Sequence, residues 1–167
     1  MNIEQEARKA PLFKNLNPEE VDRLLSITSE RRFQKEELIM QEGENGDTMY
    51  ILIDGQVGVS KTLTMKFGDD DYRKAEKVLT HFEAGDHVVF GEMALIGQDT
   101  RSASIVANTD CTLLEINRDN FMKLIEANSE LGVKILLNLS ELLLGRLKQC
   151  NQDVIRLTTA LSIALSK

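Results

Sequence analysis

The sequence has few of the residues that a metal site or a disulfide framework needs. It contains two histidines and two cysteines among 167 residues, and Cys111 and Cys150 have no second cysteine near them. This scarcity excludes a disulfide scaffold and a cysteine-based zinc site, so we expect both thiols to be small buried side chains. His81 and His87 cannot supply the clustered ligands of a metal enzyme, and we predict no metal.

Long apolar runs and an excess of basic residues are also missing. The longest strongly apolar run, residues 49–53, is far shorter than the ~20 residues that a membrane-spanning helix needs. Residues 1–10 are charged and unlike a signal peptide, so we expect a cytoplasmic protein without membrane contact. Twenty basic against 27 acidic residues give a formal charge of -7, which disfavours a broad nucleic-acid surface and requires any anion site to be local.

Periodic patterns divide the chain into a short helical start, a strand-rich middle and a long helical end. The tetrapeptide N-P-E-E at 17–20 has a capping asparagine, a first-turn proline and an N3 glutamate, which predict a helix start. Between residues 33 and 116, β-prone runs alternate with turn residues and predict about eight strands. The Asp-Gly pair at 54–55 predicts a type I′ hairpin. The polar residues 66–77 predict an exposed hairpin tip in preference to a calcium loop.

The C-terminal third has the most regular pattern. Asn117 and Asn128 are suited to cap two successive helices, and no proline follows them. Within the second helix, spacings of four and three residues form a heptad seam with one polar member. The seam residues are Leu136, Ser140, Leu143, Leu147, Cys150, Val154, Leu157, Leu161 and Ala164. This seam predicts a homodimer through the C-terminal helix, and the alternative is a helix that folds back onto its own domain.

The most informative segment for chemistry is FGEMALIGQDTRSA at residues 90–103. Gly91 permits close approach of the backbone, and residues 93–95 can form one helical turn whose free amides attract phosphate. Arg101 supplies a forked cation that suits two phosphate oxygens. Glu92 needs hydroxyl donors, such as those of a ribose, to lie near a phosphate. These residues indicate a nucleotide, although a simple salt bridge between Glu92 and Arg101 is an alternative.

The same segment resembles the phosphate-binding segment of cyclic nucleotide-binding domains, the family of bacterial catabolite activators and of cyclic-AMP-dependent kinase regulatory subunits. The family pattern F-G-E-x-A-L, followed by R-x-A, is met at residues 90–95 and 101–103. A second pattern, G-D-x-x-Y-I-x-x-x-G-x-V-x-V, is met at residues 46–59, and the resemblance covers about residues 12–147. It implies a mainly β fold with flanking helices (α+β), an eight-stranded, jelly-roll-like β-roll (double-stranded β-helix) with an N-terminal helix and a long C-terminal helix.

The resemblance also implies roles for single residues. Glu92 would bond the ribose 2′-hydroxyl, Arg101 would bond the cyclic phosphate, and nearby backbone amides would complete the phosphate site. Cys150 and Asn151 lie by register where relatives place polar residues near the purine. The predicted ligand-binding residues are Gly91, Glu92, Met93, Ala94, Arg101, Ser102, Ala103, Cys150 and Asn151.

The sequence departs from the family pattern just before this segment. Residues 87–90 add about two residues to the usual spacing, which a strand accommodates by keeping its alternation or by forming a bulge. We predict that His87 and His81 are exposed strand residues. The alternative for His87 is a pH-sensitive position at the rim of the pocket.

The resulting hypothesis is a cyclic nucleotide sensor without catalytic residues, cofactor or metal. Residues 1–131 would form the β-roll domain with its N-terminal helix, and residues 132–167 its C-terminal lid and dimerisation helix. Cyclic AMP is the favoured ligand, with cyclic GMP as the alternative, and the output would act on an unidentified effector protein. The sequence contains no DNA-binding element, so we expect the sensor part of a transcriptional regulator or a stand-alone module. The competing hypothesis is a nucleotide-independent interaction module with the same fold.

Overall fold

We describe the fold from a computed structural model that covers residues 2–66, 72–97 and 100–166. Within these ranges, eight strands form two four-stranded antiparallel sheets, with helices before and after them. The strands are β1 (Thr28–Phe33), β2 (Leu38–Met40), β3 (Thr48–Asp54), β4 (Gln56–Lys66), β5 (Tyr72–Glu83), β6 (Val89–Phe90), β7 (Ser104–Ala107) and β8 (Cys111–Asn117). The helices are α1 (Ile3–Ala7), α2 (Pro18–Leu25), α3 (Glu92–Gly97), α4 (Arg118–Ala127) and α5 (Ser129–Leu165). The predicted mainly β fold with an N-terminal and a long C-terminal helix is confirmed.

The two sheets pack face to face, and helices cover the outer face of the first sheet. The strand order is β1-β8-β3-β6 in the first sheet and β2-β7-β4-β5 in the second. Met49 and Ile51 of β3 pack in a core that includes helix residues, whereas Tyr50 and Leu52 pack between the sheets. Because both faces of β3 are covered, its sequence is apolar at successive positions instead of alternating. This explains the apolar run at residues 49–53.

The Asp-Gly pair at 54–55 does not form the predicted hairpin. β3 ends at Asp54 in the first sheet, and β4 begins at Gln56 in the second sheet. Of the pair, only Gly55 has a positive φ, 90°, whereas a type I′ turn needs positive φ at both positions. A Cβ on Gly55 would lie 2.4 Å from the carbonyl oxygen of Asp110. The glycine therefore permits a tight crossing between sheets.

The longest hairpin of the described residues joins β4 and β5. Gln56 pairs with Glu83 at its base, and Lys66 pairs with Tyr72 at its far end. This agrees with the hairpin predicted around residues 66–77. The predicted solvent-exposed tip, residues 66–77, is wrong at both ends, because Lys66 and residues 72–77 belong to the paired strands β4 and β5. Residues 67–71 lie outside the described residues.

The helix starts follow the predicted capping residues. The Asn17 side chain accepts a hydrogen bond from the Glu20 amide, and the Glu20 carboxylate accepts one from the Asn17 amide, which completes a capping box. Asn117 caps α4 and Asn128 caps α5, each through its side-chain oxygen. All three predicted helix starts are confirmed.

α5 begins as a core helix and then leaves the β domain. Its first turns pack in the helix-side core through Leu131, Ile135 and Leu139. Farther along, large apolar side chains are exposed, among them Leu147, Val154, Leu157 and Leu161. The helix therefore does not fold back over the domain along its length. In the described ranges we find no helix with the length and hydropathy of a membrane span. The proposed domain boundary at 131–132 lies in the first turn of α5 and stays a prediction.

Two expectations about single residues need correction. Cys111 is buried as predicted, but Cys150 is exposed because α5 has left the domain at that point. His87 is not an exposed strand residue: it is half-buried and follows a short 3-10 helix, with a φ of 49°. His81 is exposed in β5, as predicted.

Candidate functional site

A cavity of about 280 Å³ borders the segment at residues 90–94 and 100–103, and Arg146 of α5 also lines it. Its volume is near the lower end of the range for small-molecule pockets, roughly 300–1,000 Å³. The remaining wall is mainly apolar and is formed by Met40, Val59, Leu79, Phe82, Phe90 and Ile105, among others. A mainly apolar wall with a few convergent polar groups is typical of a ligand site.

Most of the predicted ligand-binding residues line this cavity. They are Gly91, Glu92, Met93, Ala94, Arg101, Ser102 and Ala103. The other two, Cys150 and Asn151, are exposed on α5 and are not among the lining residues. Their role as contacts to a base stays a prediction. Arg146, which lies one turn before Cys150 on the same face of the helix, borders the cavity.

A glycine turn brings α3 to the edge of the cavity. Gly91 has a φ of 81°, which few other residues adopt, and it connects β6 to α3. A Cβ at this position would lie 2.8 Å from both the carbonyl oxygen of Thr48 and Nη1 of Arg101. The Ala94 amide donates to the Gly91 carbonyl at 3.2 Å, which begins the helical turn. The predicted short helix is thus confirmed.

Glu92 is a buried carboxylate with a partner on α5. Its side chain is only 4% exposed, and Nη1 of Arg146 donates to its Oε1 at 2.6 Å. Nη2 of Arg146 donates to the carbonyl oxygen of Val89. A buried carboxylate without such a partner would be strongly unfavourable. Among the described residues Arg101 is not the ion-pair partner of Glu92, so the simple salt bridge between them is not formed.

Arg101 is buried within the β domain, and Thr48 supplies most of its hydrogen bonds. Nη1 donates to the Thr48 carbonyl at 2.7 Å and to the Gly91 carbonyl at 3.4 Å, and Nη2 donates to Thr48 Oγ1 at 2.8 Å. A Cβ on Gly46 would lie 2.3 Å from Cζ of Arg101. Gly46 and Gly91, one from each family pattern, therefore leave the space that the guanidinium fills.

The Tyr50 phenol contacts Thr48, the residue that binds Arg101. Thr48 Oγ1 donates to Tyr50 Oη at 3.3 Å. Burial raises the pKa of the Tyr50 phenol above its ordinary value. Because that value already lies far above neutral pH, the phenol stays uncharged there. A neutral phenol can sit in the apolar space between the sheets without a counter-charge.

The two buried charges give the cavity two chemically different ends. The guanidinium of Arg101 carries N–H donors and a positive charge, which suit an anionic group. The carboxylate of Glu92 offers acceptors only, which suit hydroxyl groups. A ligand with an anionic group near hydroxyl groups would satisfy both ends. In the described ranges we find no cluster of three or more histidine, cysteine or acidic residues that could hold a metal ion.

Sequence reasoning missed two residues of this site, Arg146 and Thr48. Arg146 interrupts an apolar stretch of α5, which marks it as unusual but does not show which face of the helix meets the cavity. Thr48 occupies a variable position of the second family pattern. Their partners lie 54 and 53 residues away in sequence, so no local pattern pairs them.

Comparisons with known proteins identify the family. The family model of the cyclic nucleotide-binding domain matches residues 30–128 of this chain. The Cyclic AMP receptor protein of Thermus thermophilus is 32% identical over 145 residues, which cover 87% of this chain and 61% of that protein. The human cGMP-dependent protein kinase 2 is 31% identical over 125 residues, or 74% of this chain and 15% of the kinase. The chain thus spans less than two thirds of either relative.

Solved structures agree with this match. The crystal structure of the Thermus thermophilus Catabolite Activator Protein superposes with a TM-score of 0.74 at 31% identity, covering 89% of this chain and 63% of that chain. A cyclic nucleotide-binding domain from Methylobacillus flagellatus superposes with a TM-score of 0.72 at 27% identity, covering 88% and 77% of the two chains. The sequence match, the fold and the cavity at residues 90–103 agree. The chain therefore belongs to the cyclic nucleotide-binding domain family.

Proposed function

We propose that the chain binds a cyclic purine nucleotide in this cavity and transmits binding through α5. The observation that carries the proposal is that the buried side chains of Arg101 and Glu92 line one cavity. Arg101 would bind the cyclic phosphate, and Glu92 would accept a hydrogen bond from the ribose 2′-hydroxyl. We favour cyclic AMP over cyclic GMP because the Cyclic AMP receptor protein matches the larger share of the chain.

Arg146 supplies the route from the nucleotide to α5. Its guanidinium binds Oε1 of Glu92, the carboxylate that the ribose hydroxyl would use. A ribose hydroxyl that donates to Oε1 of Glu92 would compete with Arg146 for the lone pairs of that oxygen. Nucleotide binding would therefore weaken the contact between α3 and α5 and reposition the helix. The domain acts in this scheme by binding, and we expect no catalytic activity from it.

The exposed part of α5 supports a second copy of the chain as partner. Leu147, Val154 and Leu157 of the seam are 56%, 56% and 70% exposed. An apolar seam of this length is unfavourable in water, and an identical helix with the same heptad spacing can cover it symmetrically. We therefore propose a homodimer through α5, whose rearrangement acts on an effector protein.

Sedimentation equilibrium tests the homodimer. Val154→Glu places a charge in the seam and should convert the dimer to monomer at micromolar concentration. Gln152→Glu adds the same charge on the opposite face of the helix and should leave the dimer intact. A wild-type chain that is monomeric at high concentration, or a Val154→Glu variant that still dimerises, would contradict a dimer through this seam.

Isothermal titration with cyclic AMP and cyclic GMP tests the nucleotide site. Wild-type protein should bind at least one of them, and Arg101→Ala should weaken that binding by about 2–5 kcal/mol because the ligand's anionic group loses its charged partner. Arg32→Ala removes a surface arginine that is 79% exposed and should not change the affinity. Equal affinities of the wild type and Arg101→Ala would reject the assignment of Arg101.

The alternative function is a nucleotide-independent interaction module. The observation that favours it is that Glu92 and Arg101 both have protein partners without any ligand. In that case neither nucleotide would raise the melting temperature at millimolar concentration, because only a ligand that binds the folded state stabilises it. Substitutions in the α5 seam would then affect partner binding while Arg101→Ala would not.

A further inference from the structure

Thr48 holds one edge of the Arg101 guanidinium with both of its oxygen atoms. Its carbonyl oxygen accepts from Nη1 at 2.7 Å, and its Oγ1 accepts from Nη2 at 2.8 Å. A guanidinium can bind two oxygens side by side through its Nη1–Nη2 edge or through its Nε–Nη2 edge. Within the described residues, the hydrogen bonds that Arg101 donates come from Nη1 and Nη2, and none comes from Nε. With respect to the described residues, the Nε–Nη2 edge therefore has donors left for a ligand.

The Thr48 hydroxyl is itself oriented by Tyr50. Thr48 Oγ1 donates its proton to Tyr50 Oη at 3.3 Å, so its lone pairs are available to Arg101. The Tyr50 ring contacts Phe33 and Phe90, with ring centroids 6.4 Å and 5.6 Å away. Tyr50 is only 7% exposed. A buried ring between two others has little freedom to move, so the acceptor for the Thr48 proton stays in place.

We propose that Thr48 is a positioning residue for the anionic group of the ligand, with Tyr50 fixing its hydroxyl. Thr48 holds the Nη1–Nη2 edge of Arg101, so that the Nε–Nη2 edge contacts two oxygens of a cyclic phosphate. This inference rests on the nucleotide site proposed above. An arginine that is held before the ligand arrives loses less side-chain entropy on binding, and this raises the affinity.

Thr48→Val and Thr48→Ser separate the hydroxyl from the rest of the side chain. Valine keeps the shape and the backbone carbonyl but removes the hydroxyl, and serine restores it. In titrations with cyclic AMP and cyclic GMP, Thr48→Val should bind the preferred nucleotide roughly tenfold more weakly, as expected for one lost hydrogen bond to a charged group. Thr48→Ser should return to within roughly threefold of the wild type, and Tyr50→Phe should bind roughly threefold more weakly.

Thr28→Val is the matched control. Thr28 lies in β1, in the same sheet as Thr48, and its Oγ1 donates to the carbonyl of Leu25 at the end of α2. Thr28 does not line the cavity. Loss of the Thr28 hydroxyl should leave the nucleotide affinity unchanged. Nitrogen-15 NMR of the Arg101 side chain in ligand-free protein gives a second readout. The wild type should show slowed rotation of the Nη groups, and Thr48→Val should show averaged signals.

The outcomes distinguish the two proposals. If the wild type binds neither nucleotide, the proposed function fails, and the inference about Thr48 fails with it. If the wild type binds but Thr48→Val has the same affinity and the same Nη signals, only the positioning role is overturned. If Thr48→Val loses affinity together with melting temperature and Thr48→Ser restores neither, Thr48 is a structural residue, which also overturns the positioning role.

Discussion

The two buried charges of the cavity are held in different ways. Arg101 is held inside the β domain by Thr48, with space left by Gly46. Glu92 is held from outside the two sheets by Arg146 of α5. The first arrangement can form without α5, whereas the second changes whenever α5 moves. In our proposal, the Arg101 end of the cavity binds the phosphate with preorganised affinity, and the Glu92 end binds the ribose and couples it to the helix.

The largest effect is expected from a change that removes the space for Arg101. Gly46→Ala places a Cβ 2.3 Å from Nε and Cζ of the guanidinium, so the side chain must move. Since the clash is with the far end of a long side chain, the fold should survive. Affinity for the nucleotide should fall as much as in Arg101→Ala, by about 2–5 kcal/mol, as measured by titration calorimetry.

Gly85→Ala is the control for this substitution. A Cβ on Gly85 has no atom within 4 Å, and the variant should bind as the wild type does. Wild-type affinity in Gly46→Ala, with an unchanged melting temperature, would show that the position of Arg101 in this structure is not the binding position. Arg101 would then not be preorganised for the ligand, and the difference between Arg101 and Glu92 would disappear.

An intermediate effect is expected at the ribose end. Arg146→Met removes the competitor for Glu92, so the nucleotide should bind more tightly, by roughly threefold to tenfold, the worth of one modest hydrogen bond. The free energy of unfolding without ligand should fall by about 1–2 kcal/mol, because a buried carboxylate loses its partner. Titration calorimetry and urea denaturation measure the two changes.

Arg156→Met tests whether any arginine of α5 has this effect. Arg156 is 72% exposed and pairs with Asp153 one turn away, so its loss should alter neither affinity nor stability appreciably. Weaker nucleotide binding by a stably folded Arg146→Met variant would contradict the competition. Arg146 would then contact the ligand directly. The pair of Glu92 and Arg146 would be preorganised for the ligand in the same way as Arg101.

The contrast between the two ends also shows what the sequence could predict. Glu92 and Arg101 lie in one short segment whose glycine, acidic and basic residues have readable chemistry, and the structure brings both to one cavity. The Asp-Gly pair at 54–55 misled because a hairpin and a crossing between sheets both need a tight turn with glycine. Arg146 was missed because helix periodicity defines the faces of α5 but not which face meets the cavity. The sequence separation between Arg146 and Glu92, rather than a lack of chemical signal in either residue, limited the prediction of this contact.

The smallest effect concerns the base of α5, which the structure fixes to α2. Lys134 Nζ donates to Glu20 Oε1 at 2.7 Å, and the Asn17 amide donates to Oε2 at 2.8 Å. The bond from Lys134, followed by the bond from the Asn17 amide, lowers the pKa of the Glu20 carboxyl below its ordinary value. A carboxyl with a lower pKa in the folded state stabilises the fold above its unfolded-state pKa, and this contribution is lost as pH falls through the folded-state pKa.

Urea denaturation between about pH 7 and about pH 3 should therefore show a steeper loss of stability for the wild type than for Glu20→Gln. Lys134→Met should flatten the acid dependence similarly, and the double variant should add little further, because both changes remove one ion pair. Nucleotide affinity at neutral pH should be unchanged in Glu20→Gln, since neither Glu20 nor Lys134 lines the cavity. An altered affinity would mean that the base of α5 also moves with the ligand, and Arg146 would no longer be the single point of coupling in our proposal.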